Sequence, residues 1–214
     1  MAEPPALHLD GPDDAPACVA LAHGAGVGFD SPFMTAFAEG LAGHGLRVAR
    51  FEFPYMTASR EDGRRRPPDP APRLLATWRA VVDALGGPEG LVVGGKSMGG
   101  RMAADLARTL ADEGTPVAGV ACLGYPFHPP GKPAQTRLEA LRAGTTPVLI
   151  CQGTRDPFGG TDEVAGYALP DTVEIAWAAD GDHHLVPRAR SGRTCDETWA
   201  EAIARVADFA RRVV

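Results

Sequence analysis

The sequence has no apolar run of the roughly 18 residues that cross a bilayer, which excludes a membrane-spanning helix. It also lacks a basic segment followed by an apolar stretch at its start. Met1–Asp10 is acidic and proline-containing, so no secretion leader is expected and the cytoplasm is the expected location. Basic charge is in deficit: the formal net charge is −6, against a nucleic-acid partner. Lysine is confined to Lys96 and Lys132 while arginine and alanine are plentiful, a bias that points to a GC-rich bacterial genome. The four cysteines, Cys18, Cys122, Cys151 and Cys195, show no paired spacing and no neighbouring histidine pattern. Reduced, mostly buried thiols are expected, with no metal and no cofactor. Repeats and low-complexity segments are missing too, and 214 residues fit one domain spanning 1–214.

What is present is an alternation of two periods. Residues 17–22, 46–53, 91–94, 117–123, 147–152 and 173–178 are short, apolar and rich in β-branched side chains. Strands covered on both faces have this composition. A short strand at Leu7–Leu9 is expected at an edge. Helical spacing occupies Pro32–Gly43, with Ser31 placed to cap it, then Arg73–Leu85, Met98–Asp112, Thr136–Arg142, a weaker Asp162–Ala168, and Asp196–Val213. The last carries Trp199, Ile203, Val206, Phe209 and Ala210 on one stripe. Strand and helix in turn specify a three-layer α/β fold around a mostly parallel sheet of about seven strands. Tyr55–Pro72 has no apolar period and contains Arg64, Arg65 and Arg66. It reads as a solvated loop, or as a basic flap at the edge where open α/β sheets bind ligands.

Gly95-Lys96-Ser97-Met98-Gly99 lies between an apolar strand and a helical run. A serine in this G-x-S-x-G context occupies a strained strand-to-helix turn, where flanking side chains would collide with neighbouring backbone. Its hydroxyl is presented at a helix N-terminus, which favours developing negative charge. A serine alcohol needs a base at neutral pH, and on such a turn the carboxylate and then the histidine follow along the chain. Asp156, just past the run Pro147–Gln152, is the candidate acid. The histidine follows the last strand, where His183 and His184 stand side by side; His183 is preferred and His184 is the alternative. Asp180 and Asp182 are turn residues or rival acids. For the oxyanion, the N–H of Met98 is one donor. The second comes from His23-Gly24-Ala25-Gly26, with Ala25 chosen over Gly24 and Gly26 and His23 expected to order the loop. Neither HGAGVG nor GKSMGG has the spacing of a nucleotide-binding loop.

HGAG, GKSMGG, GTRDPFG and GDHH, in that order, resemble the α/β-hydrolase superfamily over nearly the whole chain. FPYM, GRRRPPDP and GKSMGGR are similar to its small lidless branch of testis-expressed and NSL-complex-subunit-like proteins. Bacterial members are grouped loosely with dienelactone hydrolases, which use a cysteine where this chain has Ser97. The resemblance implies the hydrolase fold without a cap domain, since only Gly124–Thr146 could hold one. It implies an open site walled by Tyr55–Pro72 and Tyr125–Gln135. The expected activity is cleavage of a carboxylester, thioester or lactone of a small acyl substrate through an acyl-enzyme, with Ser97, Asp156 and His183 as triad. Candidate substrate contacts are Tyr55, Phe127 and Arg101, although the last reads first as a structural ion pair, with contact to an anionic substrate as the alternative. Lys96 is assigned no chemistry. The alternatives are an acyltransferase using the same triad and a non-catalytic interaction module on the same fold. The sequence sets no oligomeric state.

Overall fold

The computed structural model describes residues 4–214, so the first three residues of the Met1–Asp10 segment lie outside the described residues. Seven strands form one sheet in the order β1-β3-β2-β4-β5-β6-β7. They are β1 His8–Asp10, β2 Cys18–Ala22, β3 Arg47–Phe51, β4 Leu91–Lys96, β5 Gly119–Leu123, β6 Val148–Gly153 and β7 Val173–Ala178. Only β1 runs antiparallel, against β3; every other pairing is parallel. The chain moves outward from β2 to β3, then returns to the other side of β2 to lay down β4. The carboxyl ends of β2 and β4 therefore flank the switch point, where open α/β sheets leave a crevice.

Helices α1 (Pro32–Gly43) and α7 (Cys195–Val213) cover one face, with Phe37, Leu41, Ile203, Val206 and Phe209 buried against Val19, Val92 and Leu149. Helices α3 (Ala71–Ala84), α4 (Met98–Asp112) and α5 (Glu139–Ala143) cover the other, packing Trp78, Met102 and Leu141 on Val93, Val120 and Ile150. Ser31 caps α1, accepting the Met34 N–H at 3.4 Å, and Pro32 fills its first turn. Thr194 and Glu197 form a reciprocal capping box on α7. Trp199, on the stripe predicted for that helix, is half-buried and packs edge-on against Phe33. All four cysteines are free. Cys122 and Cys151 are buried, and burial pushes the Cys151 thiol up to about 12. Among the described residues no helix is long and apolar enough to cross a membrane.

The structure departs from the sequence reading in four places. Residues 54–62, read as part of an irregular loop, form helix α2 (Pro54–Asp62). Its only buried residue is Tyr55, so no apolar period announces it. It is held by ions: the Arg60 guanidinium donates to Glu52 Oε1 at 2.6 Å and to Asp30 Oδ1 at 2.8 Å. Gly63, at φ 72°, ends it in the left-handed region. The helix expected from Thr136 begins only at Glu139, and that expected over Asp162–Ala168 is α6, Thr161–Ala165. Strand β7 is an edge strand with Trp177 36% exposed, not a strand covered on both faces.

Trp78 is fully buried edge-on to Phe51, at 4.7 Å between ring centroids, yet its indole N–H has no partner among the described residues. An unpaired buried donor costs about 1–3 kcal/mol. Trp78→Phe removes that donor along with some volume, so its net cost in urea denaturation is expected to be within about 1 kcal/mol. Trp78→Ala is expected to lose about 3–5 kcal/mol through the cavity alone.

Candidate active site

Ser97 sits between β4 and α4 at φ 51° and ψ −113°, a conformation that costs a non-glycine residue about 1–3 kcal/mol. Two glycines make the turn possible. Gly95 has φ 148°, and a Cβ there would lie 2.1 Å from the Ala22 carbonyl oxygen; one on Gly99 would lie 2.4 Å from the same oxygen. The elbow is thus pressed against the end of β2. The Ser97 N–H donates to Leu123 O at 3.0 Å, tying the turn to β5.

The same approach brings in the loop after β2. His23 is wholly buried, and its Nε2 faces the Phe53 N–H at 3.1 Å, so Nε2 accepts. The proton is then on Nδ1, which donates to Gly24 O at 2.7 Å. His23 orders the loop in this way, and burial holds its pKa below the usual range. Tyr55 is buried as well, its hydroxyl donating to Ala25 O at 3.1 Å. It supports the loop from behind and does not line the cleft. The N–H groups of Ala25 and Met98 donate to no group among the described residues, and both residues line the cleft with Ser97.

Asp156 follows β6 and is 3% exposed. Its Oδ2 accepts His183 Nδ1 at 2.7 Å and Gln152 Nε2 at 3.0 Å, while Oδ1 accepts the Phe158 N–H at 2.9 Å. The carboxylate is oriented from three sides. His183, not His184, meets it. The His184 N–H is held by Asp182 and its carbonyl by Trp199, whose indole N–H donates at 2.8 Å. Asp182 also accepts the Val186 N–H, and Asp180 is engaged by Arg155 and Arg188, so both rival acids are structural. With Nδ1 bonded to Asp156, His183 presents Nε2, which has no partner among the described residues. The Phe158 ring covers the imidazole, 4.5 Å between centroids.

Sequence reasoning missed two residues. Gln152 is fully buried at the end of β6; its Oε1 accepts the Tyr125 N–H at 2.7 Å while its amide holds Asp156. A lone amide closing an apolar strand was the available signal. Lys96, 4% exposed, donates from Nζ to His183 O at 2.6 Å, across the width of β5 and β6, and lies 5.5 Å from the centre of the Phe33 ring. Burial pushes its pKa down to about 8. The lysine assigned no chemistry thus anchors the histidine loop.

The cleft beside Ser97 is open and holds about 340 Å³. Pro68, Asp69 and Ala71 wall one side, and Pro126, Pro130, Arg137 and Phe158 the other. Both predicted walls contribute, but Arg64–Arg66 do not line it; Arg66 pairs with Asp62 at 2.6 Å at the end of α2. Phe127 is wholly buried against Tyr125 and Tyr167, away from any ligand. Arg101 lines the cleft and also reaches Asp105 at 3.3 Å, the ion pair of its structural reading. Glu52, the acidic residue nearest a nucleotide-loop position, is engaged by Arg60.

A family model described as an alpha/beta hydrolase domain matches residues 15–211. No curated protein matches the chain. Among solved structures, dienelactone hydrolase from Anabaena variabilis aligns with TM-score 0.71 at 21% identity, over 97% of this chain and 91% of that one. Est1E from Butyrivibrio proteoclasticus aligns with TM-score 0.70 at 15% identity, over 96% and 94%. An α/β serine hydrolase without lid from Xanthomonas campestris aligns with TM-score 0.66 at 15% identity, over 96% and 88%. At these identities the likeness is one of fold.

Two expectations follow from the site. The folded state keeps His23 neutral below the usual 6.5, so as pH falls through that value the unfolded chain binds a proton that the folded chain refuses. Stability is therefore lost below about pH 6.5. In urea titrations between pH 7.5 and 5, His23→Gln is expected to show a shallower decline than wild type, and parallel declines would exclude this origin. Lys96→Met frees the His183 carbonyl and the loop that carries the imidazole. Turnover of any substrate found is expected to fall roughly ten- to a hundredfold in kcat with little change in KM, as a misplaced base predicts.

Proposed function

Because the chain belongs to the α/β-hydrolase domain family, we propose that it is a serine hydrolase of ester-type bonds, with Ser97 as nucleophile, His183 as general base and Asp156 as the carboxylate that orients it. The observation that carries this reading is the Asp156–His183 hydrogen bond of 2.7 Å, made through Nδ1, which leaves Nε2 for the serine proton. That a dienelactone hydrolase and a lidless serine hydrolase share the fold supports the same class.

The proposed reaction uses these groups in turn. His183 Nε2 takes the Ser97 proton as Oγ attacks the acyl carbon, and Asp156 stabilises the imidazolium that forms. Oxygen charge develops at the start of α4, where the N–H groups of Met98 and Ala25 are the proposed donors. His183 then protonates the leaving group, giving the acyl-enzyme. Water, deprotonated by the same nitrogen, releases the acid and restores Ser97. Carboxylester, thioester and lactone carbonyls all fit this sequence, and an uncapped cleft of about 340 Å³ suits a small acyl group. An acyltransferase differs only in resolving the acyl-enzyme with an alcohol or amine, so product analysis with added alcohol separates the two. The free thiols fit a reducing compartment, in keeping with cytoplasmic residence.

The test is turnover of p-nitrophenyl esters from acetate to octanoate, alongside labelling by a fluorophosphonate. Wild type is expected to label at Ser97 and to favour the short chains. Ser97→Ala is expected to lose labelling and at least about a thousandfold in rate, as removal of a triad nucleophile does. A folded wild-type chain that neither labels nor turns over any ester would leave the non-catalytic interaction module as the better reading.

A further inference from the structure

Arg101 lies in the first turn of α4, its own N–H donating to Ser97 O at 3.0 Å, and both residues line the cleft. Among the described residues only one of its guanidinium nitrogens is engaged, by Asp105 at 3.3 Å. Its Nε is closed off from solvent and has no partner among them. Arg137, on the facing wall, has its backbone fixed at both ends: the N–H donates to Phe127 O at 2.7 Å and the carbonyl accepts Tyr125 Oη–H at 2.9 Å. Its guanidinium, half-buried, makes no hydrogen bond or ion pair among the described residues. Burial, and after it the positive charge of Arg101, lower the pKa of Arg137, so the two cations bear on one another.

Two guanidinium groups in one cleft, with donors unspent, repel each other and lack the acceptors their burial calls for. The carboxylates at hand do not supply them. Asp69 lines the same cleft but accepts the Tyr55 N–H at 3.0 Å and pairs with Arg73 at 3.2 Å. Asp105 is shared with one arm of Arg101 alone, and burial raises its pKa, which weakens it as a counter-charge. Arg64–Arg66, the other basic group of the sequence, stand outside the cleft.

We propose that Arg101 and Arg137 form an anion-binding subsite beside Ser97, so that the preferred substrates are small esters or thioesters carrying a carboxylate a few bonds from the scissile carbonyl. The inference rests on the esterase reading of Ser97 and goes further, in naming a charged substrate class and Arg137 as a specificity residue. A planar guanidinium meets a carboxylate through two parallel hydrogen bonds, and a nearly neutral wall of proline and Phe158 keeps that contact strong.

The experiment compares p-nitrophenyl hemisuccinate and hemiglutarate with the neutral butyrate and valerate, and 4-acetoxybenzoate with phenyl acetate for a charge on the leaving group. Wild type is expected to favour one charged series over its neutral counterpart by roughly ten- to a hundredfold in kcat/KM, the worth of a charged hydrogen-bonded pair. That ratio is expected to fall towards unity or below in Arg137→Gln and Arg137→Glu. It is expected to be unaltered in Arg65→Gln, an exposed arginine outside the cleft. A second readout needs no turnover: succinate or glutarate is expected to raise the Tm of Ser97→Ala, but not of Ser97→Ala combined with Arg101→Gln or Arg137→Gln. No charged preference in either series, or one unchanged by the Arg137 variants, overturns the subsite. Loss of all hydrolysis and labelling with dicarboxylate binding intact would instead overturn the esterase reading and leave the subsite standing.

Discussion

Everything at this site depends on how closely the backbone of β4 approaches that of β2. Cβ atoms on Gly95 and Gly99 would both run into the carbonyl of Ala22. Without them the strand can turn straight into α4 against its neighbour, and Ser97 is forced into the one unfavourable backbone conformation that lifts its hydroxyl off the sheet. The strain is local, but the contact that over-determines it belongs to the sheet as a whole. A serine so placed stands at the switch point of the strand order, where no crossover covers it.

The remaining parts are delivered by hydrogen bonds between loops. Gln152 fixes Asp156, Asp156 fixes His183, and Lys96 returns the connection from His183 to the strand that carries the serine. On the opposite side His23 and Tyr55 hold the loop of Ala25. Each of these supports is buried, where an unmade hydrogen bond is expensive, so the arrangement is stiff without a cap to compress it.

Sequence patterning was most informative where a single physical rule governs a segment. Helices α1 and α4 fall on the predicted residues because an apolar period coincides with an N-terminal signal, Ser31-Pro32 in one and the elbow in the other. Six of the seven strands were visible as apolar runs, and β1, His8–Asp10, only as a short edge strand near Leu7–Leu9. Helix α2 was not, because Arg60, Glu52 and Asp30 hold it across distances in sequence that no local period reports. The Ser97 elbow and the pairing of Asp156 with a following histidine were readable through motif and order. Choosing His183 over His184 required the loop conformation that aims one ring at Asp156 and leaves the other against Phe33. Tyr55 and Phe127 illustrate the opposite failure: aromatic residues beside a site look like substrate contacts, yet both are buried behind its walls. Lys96 and Arg137 escaped because their roles depend on partners, made or missing, from distant segments.

The order in which the sheet is laid down has a consequence for the chain during synthesis. Ser97 arrives with β4, Asp156 only after β6, and His183 after β7, at one margin of the sheet. A chain emerging from the ribosome through α4 already carries the elbow, but neither Asp156 nor His183. The Asp156–His183 pair, and the Lys96 bond that ties its loop back to β4, can close only once the final strand has docked, so an incomplete chain lacks the assembled site.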